Sequence, residues 1–156
     1  MKKHLLIVVW TCFLTSCSAP VSLYYWGGDT GNGTTKYEEL AYNLYKKQTG
    51  ASICDLLCVY DDMVTRPGGQ RQVPPPGICA EYGYLLAQED IMTIFDQNAT
   101  SQQKKKMAAS PYGCDFKAGA MRLFELELTN YPESARFLIP LVERLTGVRL
   151  EIPAVD

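Results

Sequence analysis

Histidine is nearly absent. The 156-residue chain has one, His4, and it lies in a segment that does not survive maturation. Lys2 and Lys3 form a short positive head, Leu5 to Leu14 is nearly all apolar, and Thr15-Ser16-Cys17 follows at once. That is the plan of a secretory signal peptide covering residues 1–16. Without His4 the mature chain has no Ser-His-Asp or Cys-His arrangement, no HExxH zinc site and no imidazole acid or base. Long apolar runs are missing as well, since a retained transmembrane helix needs about twenty such residues and this run has about ten. Basic residues are few: with Lys2 and Lys3 removed, 13 of the 15 remain against 17 acids, a net charge of −4. Such a surface does not attract nucleic acid. The one basic run, Lys104 to Lys106, reads as a solvated helix face or loop, with a patch for lipid headgroups or an acidic partner as the alternative. A phosphate loop is excluded too. Gly27, Gly28, Gly31 and Gly33 cluster, but no GK[ST] follows and no strand precedes them, so the stretch reads as a flexible connection.

What is present is ordinary globular material, 47% hydrophobic and 21% charged, enough to bury one domain's core. Leu14-Thr15-Ser16-Cys17 resembles the bacterial lipobox, in which the cysteine is acylated and becomes the first residue after cleavage. The resemblance implies an anchor at Cys17, and several acyl chains make such an anchor stable where one alone is marginal. Ser18 in place of an aspartate implies transfer to the outer membrane, and no acidic run follows Cys17 to imply surface display. The expected location is therefore the periplasmic face of the outer membrane. Residues 17–34 form the lipidated tether and an aromatic and glycine-rich segment. About five tether residues reach at most roughly 16 to 18 Å, so Leu23-Tyr24-Tyr25-Trp26-Gly27 lies near the membrane, either in the headgroup layer or packed on the domain.

Residues 35–147 read as all-α. Thr35 and Glu38 have capping-box spacing ahead of a helix that ends near Lys47 and turns Tyr37, Leu40, Ala41, Leu44 and Tyr45 to one face. Gly50 separates it from a second helix, predicted to start at Ser52 with Asp55 as capping partner and to bury Ile53, Leu57, Tyr60 and Val64. Two helices across so short a turn make an antiparallel hairpin. Arg66-Pro67-Gly68-Gly69 through Pro74-Pro75-Pro76 is a loop. A third helix follows Gly77, with Ile78, Tyr82, Leu85 and Leu86 on one face. Gly83 beside them costs about 1 kcal/mol relative to alanine, which implies the close approach of a neighbouring helix. Residues 90–113 read as an insertion in which Ile91, Met92, Ile94 and Phe95 prolong the third helix and Ser101 to Ala109 form a short polar one. Asn98-Ala99-Thr100 and Asn32-Gly33-Thr34 match a glycosylation pattern that carries no weight behind a bacterial lipobox.

The stretch from Asp115 to Ser134 organises the rest. Phe116, Ala120, Leu123, Phe124, Leu128 and Tyr131 fall on one side of a helix, Arg122, Glu125, Thr129 and Asn130 on the other, and Pro132 stops it. A last helix carries Phe137, Leu138, Leu141, Val142 and Leu145 and closes at Gly147. It is either kinked at Pro140 or begins near Ile139 with Pro140 in its first turn. Residues 148–156 are a C-terminal tail.

Glu127 stands in the middle of the apolar stripe, where an unpaired carboxylate is expensive to bury. It therefore needs a partner on a facing helix, with Tyr82, Tyr84 or Arg136 as candidates. Two other readings are a peptidoglycan-cleaving carboxylate pair with Glu81 and a pocket for a cationic group of a partner protein. Cys54, Cys58, Cys79 and Cys114 remain in the mature chain. Cys54 and Cys58, four apart on one helix, have poor dihedrals for bonding each other. Bridges between the hairpins and buried free thiols both stay open, while a four-cysteine zinc site lacks the second Cys pair it would need. No metal or cofactor is expected.

Ala120, Phe124 and Pro132, preceded by a helix with a small residue at Gly83, resemble the second half of a tetratricopeptide repeat. LYYWG (Leu23 to Gly27), VPPPG (Val73 to Gly77), AEYGYLL (Ala80 to Leu86) and LFELELTNYPES (Leu123 to Ser134) resemble a family of small bacterial lipoproteins known as domain of unknown function 4810. These resemblances imply about five helices in antiparallel, tetratricopeptide-like hairpins, and Trp26, Gly83, Ala120, Phe124, Glu127 and Pro132 as structural or interaction residues beside lipidated Cys17. They also imply partners, namely other envelope lipoproteins including one like the curli secretion channel. The functional expectation is a non-enzymatic adaptor or accessory subunit of an envelope or export complex. The alternatives are a peptidoglycan-active enzyme using Glu81, Glu127 or Asp61 and Asp62, and a lipoprotein that binds a small ligand or lipid.

Overall fold

The structure, a computed structural model, describes residues 22–150. The signal peptide, Cys17 and residues 151–156 lie outside the described residues. The architecture is all-helical: among the described residues there are seven α-helices, one 3-10 turn and no strand. They are α1 (Lys36–Lys47), α2 (Gly50–Thr65), α3 (Ile78–Leu86), α4 (Ile91–Asn98), α5 (Ser101–Ala109), α6 (Phe116–Asn130) and α7 (Ala135–Thr146). The 3-10 turn, Pro132–Ser134, joins α6 to α7.

Local chemistry sets the helix starts. Thr35 caps α1 and exchanges hydrogen bonds with Glu38, as the spacing predicts. For α2 the capping box forms three residues earlier than predicted, between Thr49 and Ser52. Gly50 is therefore the first residue of α2 and no separator, and the side chain of Asn98 occupies the space its Cβ would need. Asp55, expected as the cap partner, instead accepts from Gln103 Nε2 at 2.8 Å. Asp115 caps α6 through a 3.1 Å bond from the Ala118 amide. Gly147, at φ 72°, ends α7 in the left-handed conformation. Pro140 lies inside α7, so the helix does not begin near Ile139.

Packing centres on α2 and α3. α2 is buried over most of its length and touches α1, α3, α4 and α5, while α3 lies most extensively against α6. The α3–α6 pair is antiparallel: Gly77, just before α3, meets Glu127 late in α6, and Gly83, six residues on, meets Phe124. Residues 90–113 are less of an insertion than expected. Gln88 to Asp90 turn the chain, so α4 starts as a separate helix, and Ile91, Phe95 and Met107 sit in the core. These two short helices make up the difference between the seven observed and the expected five. Two aromatics grouped with the apolar residues of their helices face solvent instead: Tyr45 is 80% and Phe137 68% exposed. Leu150, within the expected tail, is buried.

The glycine-rich stretch is an ordered loop, contrary to its reading as a flexible connection. Asp29 and Thr35 form an antiparallel bridge, Lys36 N–H donates to Gly28 O at 2.8 Å, and Asp29 Oδ1 accepts from the Gly31 amide at 2.7 Å. The segment holds Trp26 against α1, its ring 5.5 Å from that of Tyr37.

Candidate interaction site

α3 has no side chain to cap its own start. Its N-cap is Gly77, which has φ 86° and carries no side-chain hydrogen bond. Glu127, reaching over from α6, fills the role: its Oε1 accepts the Gly77 N–H at 2.8 Å and the amides of Cys79 and Ala80 lie toward the carboxylate, while its buried Oε2 has no hydrogen-bond partner among the described residues. A negative group here satisfies amides that a helix start leaves without partners and meets the positive end of the helix dipole. Glu127 is 2% exposed. Burial raises its pKa above the ordinary carboxylate value, the three amides pull it back down, and the charge of Glu133 adds a smaller upward push. The partner is thus the backbone of α3, and not Tyr82, Tyr84 or Arg136.

Gly83 and Phe124 lock the same pair of helices. A Cβ on Gly83 would lie 2.7 Å from Phe124 Cε1, and Phe124 and Ala120 are both fully buried. Pro132 is exposed and opens the 3-10 turn, while Tyr131 before it donates to Pro74 O at 2.6 Å. Helix α6 therefore supports α3 at its start, its middle and the loop that leads into it.

On its other side α3 meets an aromatic ladder. The rings of Trp26, Tyr37, Tyr60, Tyr82 and Tyr112 follow one another at 5.5, 5.8, 5.8 and 6.0 Å between centroids, spacing at which each pair contributes about 0.5–1.5 kcal/mol beyond its burial. Two carboxylates serve the phenols. Glu81 Oε2 accepts from both Tyr37 (2.8 Å) and Tyr60 (2.6 Å). Asp61 Oδ1, buried, accepts from Ser110 Oγ and, at 3.4 Å, from Tyr82. Burial and then the Glu81 carboxylate push Tyr37 up to about 12 and Tyr60 higher, and burial and then Asp61 do the same to Tyr82. All three phenols stay protonated and donate. This network went unread in the sequence, although tyrosines on apolar faces carry hydroxyls that must find acceptors.

The carboxylates proposed for catalysis are therefore engaged by different partners: Glu81 by phenols, Glu127 by the start of α3, Asp61 by Ser110 and Tyr82. Asp62 pairs with Arg66 and, at 2.5 Å, with Lys106. Lys106 also donates to Cys58 O at 2.8 Å, and burial lowers its pKa. Lys104 donates to Asp96 O at 2.6 Å, so within the basic run Lys105 is the residue that reads as simply solvated. Cys54, Cys58, Cys79 and Cys114 are free. Burial pushes the Cys58 thiol up to about 11 and, with Glu127 nearby, Cys79 up to about 12, which makes both poor nucleophiles.

Several hollows mark the surface. One of about 300 Å³, lined by α1, α2, α3 and α7 and almost wholly apolar, opens between Leu44, Leu85 and Leu141. Exposed Tyr84 stands at its edge, and Tyr42 and Tyr45 project from α1. Another, of about 320 Å³, is enclosed by the N-terminal segment around Trp26 and Asp29. No helix among the described residues is long and apolar enough to cross a membrane. Compared with models of protein families, with curated proteins and with solved structures, the chain matches none of them.

Proposed function

We propose that this chain is a lipoprotein anchored through Cys17 in the outer membrane, facing the periplasm and serving as a non-enzymatic adaptor or accessory subunit of an envelope or export complex. In this reading the α3–α6 pair is a tetratricopeptide-like hairpin widened by α4 and α5, and the relatives are the small lipoproteins of domain of unknown function 4810. A lipoprotein like the curli secretion channel is the partner that resemblance favours. The observation that carries the reading is the open apolar hollow between α1, α2, α3 and α7, edged by an exposed tyrosine. Open apolar ground of this kind on a small domain marks a place where another protein sits.

The peptidoglycan-cleaving alternative needs one carboxyl free to give a proton and a second free to activate water. Glu127 spends its Oε1 on the start of α3 and Asp61 its Oδ1 on Ser110 and Tyr82, which weighs against it. The test uses the chain tagged after Asp156 in its own cells. Mass spectrometry of the mature N-terminus should find an acylated Cys17, fractionation should place the protein in the outer membrane, and crosslinking should recover an envelope lipoprotein in fixed ratio. A cleaved, unacylated product free in solution, or clearing of peptidoglycan by the purified chain in a zymogram, would overturn the proposal.

A further inference from the structure

Glu81 is the one charged residue lining the hollow formed by Leu44, Leu56, Leu85 and Leu141 beside Tyr84. Both phenols that hold it donate to the same oxygen, Oε2. Oε1 receives no hydrogen bond, and no Lys or Arg among the described residues pairs with the carboxylate. A side chain fixed at one oxygen has already lost its rotamer freedom, so a cation arriving at the other meets a group that needs no further ordering. The leucines beside it are the apolar half of a site that a partner's aliphatic side chains would cover.

We infer that the hollow seats a short amphipathic segment of a partner protein, with aliphatic side chains between the leucines and a Lys or Arg ion-paired to Glu81 Oε1. The inference rests on the adaptor reading and deepens it. Competing occupants fit less well. A volume of about 300 Å³ is the lower limit for a small-molecule pocket, and an open hollow encloses little of such a ligand. A second copy of this chain, docked about a two-fold axis, would bring two Glu81 carboxylates toward each other. Anionic lipid headgroups meet the same repulsion.

The experiment places a photoreactive benzophenone amino acid at Tyr84 in the full-length chain, in its own cells, with exposed Met92 and Val148, which line other hollows, as control positions. The expected product at Tyr84 is a peptide with Lys or Arg within four residues of two aliphatic side chains. Synthesised alone, that peptide should bind the purified chain with an affinity that falls as salt rises. Glu81→Gln, which keeps an acceptor for both phenols, should weaken binding about tenfold and remove most of the salt dependence, while the melting temperature stays put. A purely structural role for Glu81 would not change the salt response. Crosslinks to lipid, to a second copy or to a segment without a basic residue overturn the inference, as does an unchanged affinity in Glu81→Gln. Partner capture at Met92 or Val148 but not at Tyr84 sinks the hollow and spares the adaptor reading. No protein captured at any of the three sinks both.

Discussion

Replacing Glu127 by alanine tests the link between α6 and α3. The change removes the acceptor of the Gly77 amide at a site 2% exposed, and an orphaned buried amide costs about 1–3 kcal/mol. Losing the negative charge at the start of α3 adds about 0.3–1 kcal/mol, and the missing γ-methylene about 0.8 kcal/mol more. Against this, the variant no longer buries a carboxylate, which returns about 1–2 kcal/mol. The net destabilisation is about 2 kcal/mol, a fall in melting temperature of about 6–10 °C for a domain of this size. Glu127→Gln keeps the chain length and an acceptor and should cost less than about 1 kcal/mol. The pH response has a definite sign. Burial raises the folded-state pKa of Glu127 above its ordinary 4.5, so between 4.5 and the raised value the folded state binds more protons than the unfolded one. Glu127 thus contributes most below pH 4.5, and stability is lost as pH rises through the raised pKa. Thermal or urea melts between pH 4 and pH 8 should show wild type gaining on Glu127→Gln as pH falls. If alanine and glutamine behave alike and neither shifts the melt, the capping argument fails; a pH trend of the opposite sign would overturn the dominance of burial over the capping amides.

Gly83→Ala should reverse the usual helix preference: alanine normally stabilises a helix by about 1 kcal/mol over glycine, but here its Cβ meets the buried ring of Phe124, and calorimetry should show a loss of about 1–3 kcal/mol. Thr49→Ala should cost about 1 kcal/mol in a urea melt, since Thr49 is the cap of α2. A thiol reagent added at pH 8 should label exposed Cys114 quickly and half-buried Cys58 slowly, and should reach Cys54 and Cys79 only on denaturation. Phe137→Ser should change stability by less than about 0.5 kcal/mol because that ring is mostly in solvent.

Features governed by a few neighbouring residues were legible in the sequence. The Thr35–Glu38 box, the burial of Leu57, Tyr60 and Val64, the stop at Pro132 and the close approach at Gly83 each follow from the residue itself and its neighbours within a turn or two. Others depended on groups far along the chain. Thr49-x-x-Ser52 and Ser52-x-x-Asp55 are equally good caps by spacing, and the glycine that reads as a break has a packing reason: Asn98, almost fifty residues on, fills the space that a side chain at Gly50 would need. Tyr45 and Phe137 sit near helix ends, where the neighbouring element that would bury the predicted stripe no longer reaches. The partner of Glu127 was sought among side chains, whereas a helix start offers unbonded amides that leave no mark in a residue pattern. Ile91 and Phe95, four apart, do mark a helix with a buried face, but only the turn at Gln88 to Asp90 separates it from α3.

Three carboxylates touch α3, Asp61 through Tyr82, and the different fates of the other two suit different work. Glu127 is buried, and its hydrogen bonding goes into fixing where α3 begins. Glu81 stands on α3 at the surface and leaves one oxygen free beside an apolar hollow, much of which α3 itself lines. Because Glu127 and Phe124 hold α3 from the α6 side, the tyrosines need only orient Glu81; they do not have to hold the helix. Removing the free charge should then leave the fold intact, while loosening the cap should move the hollow's wall without touching its charge. A recognition group mounted on a helix that other residues keep in place is preorganised in this sense, and that separation lets binding and stability be perturbed one at a time.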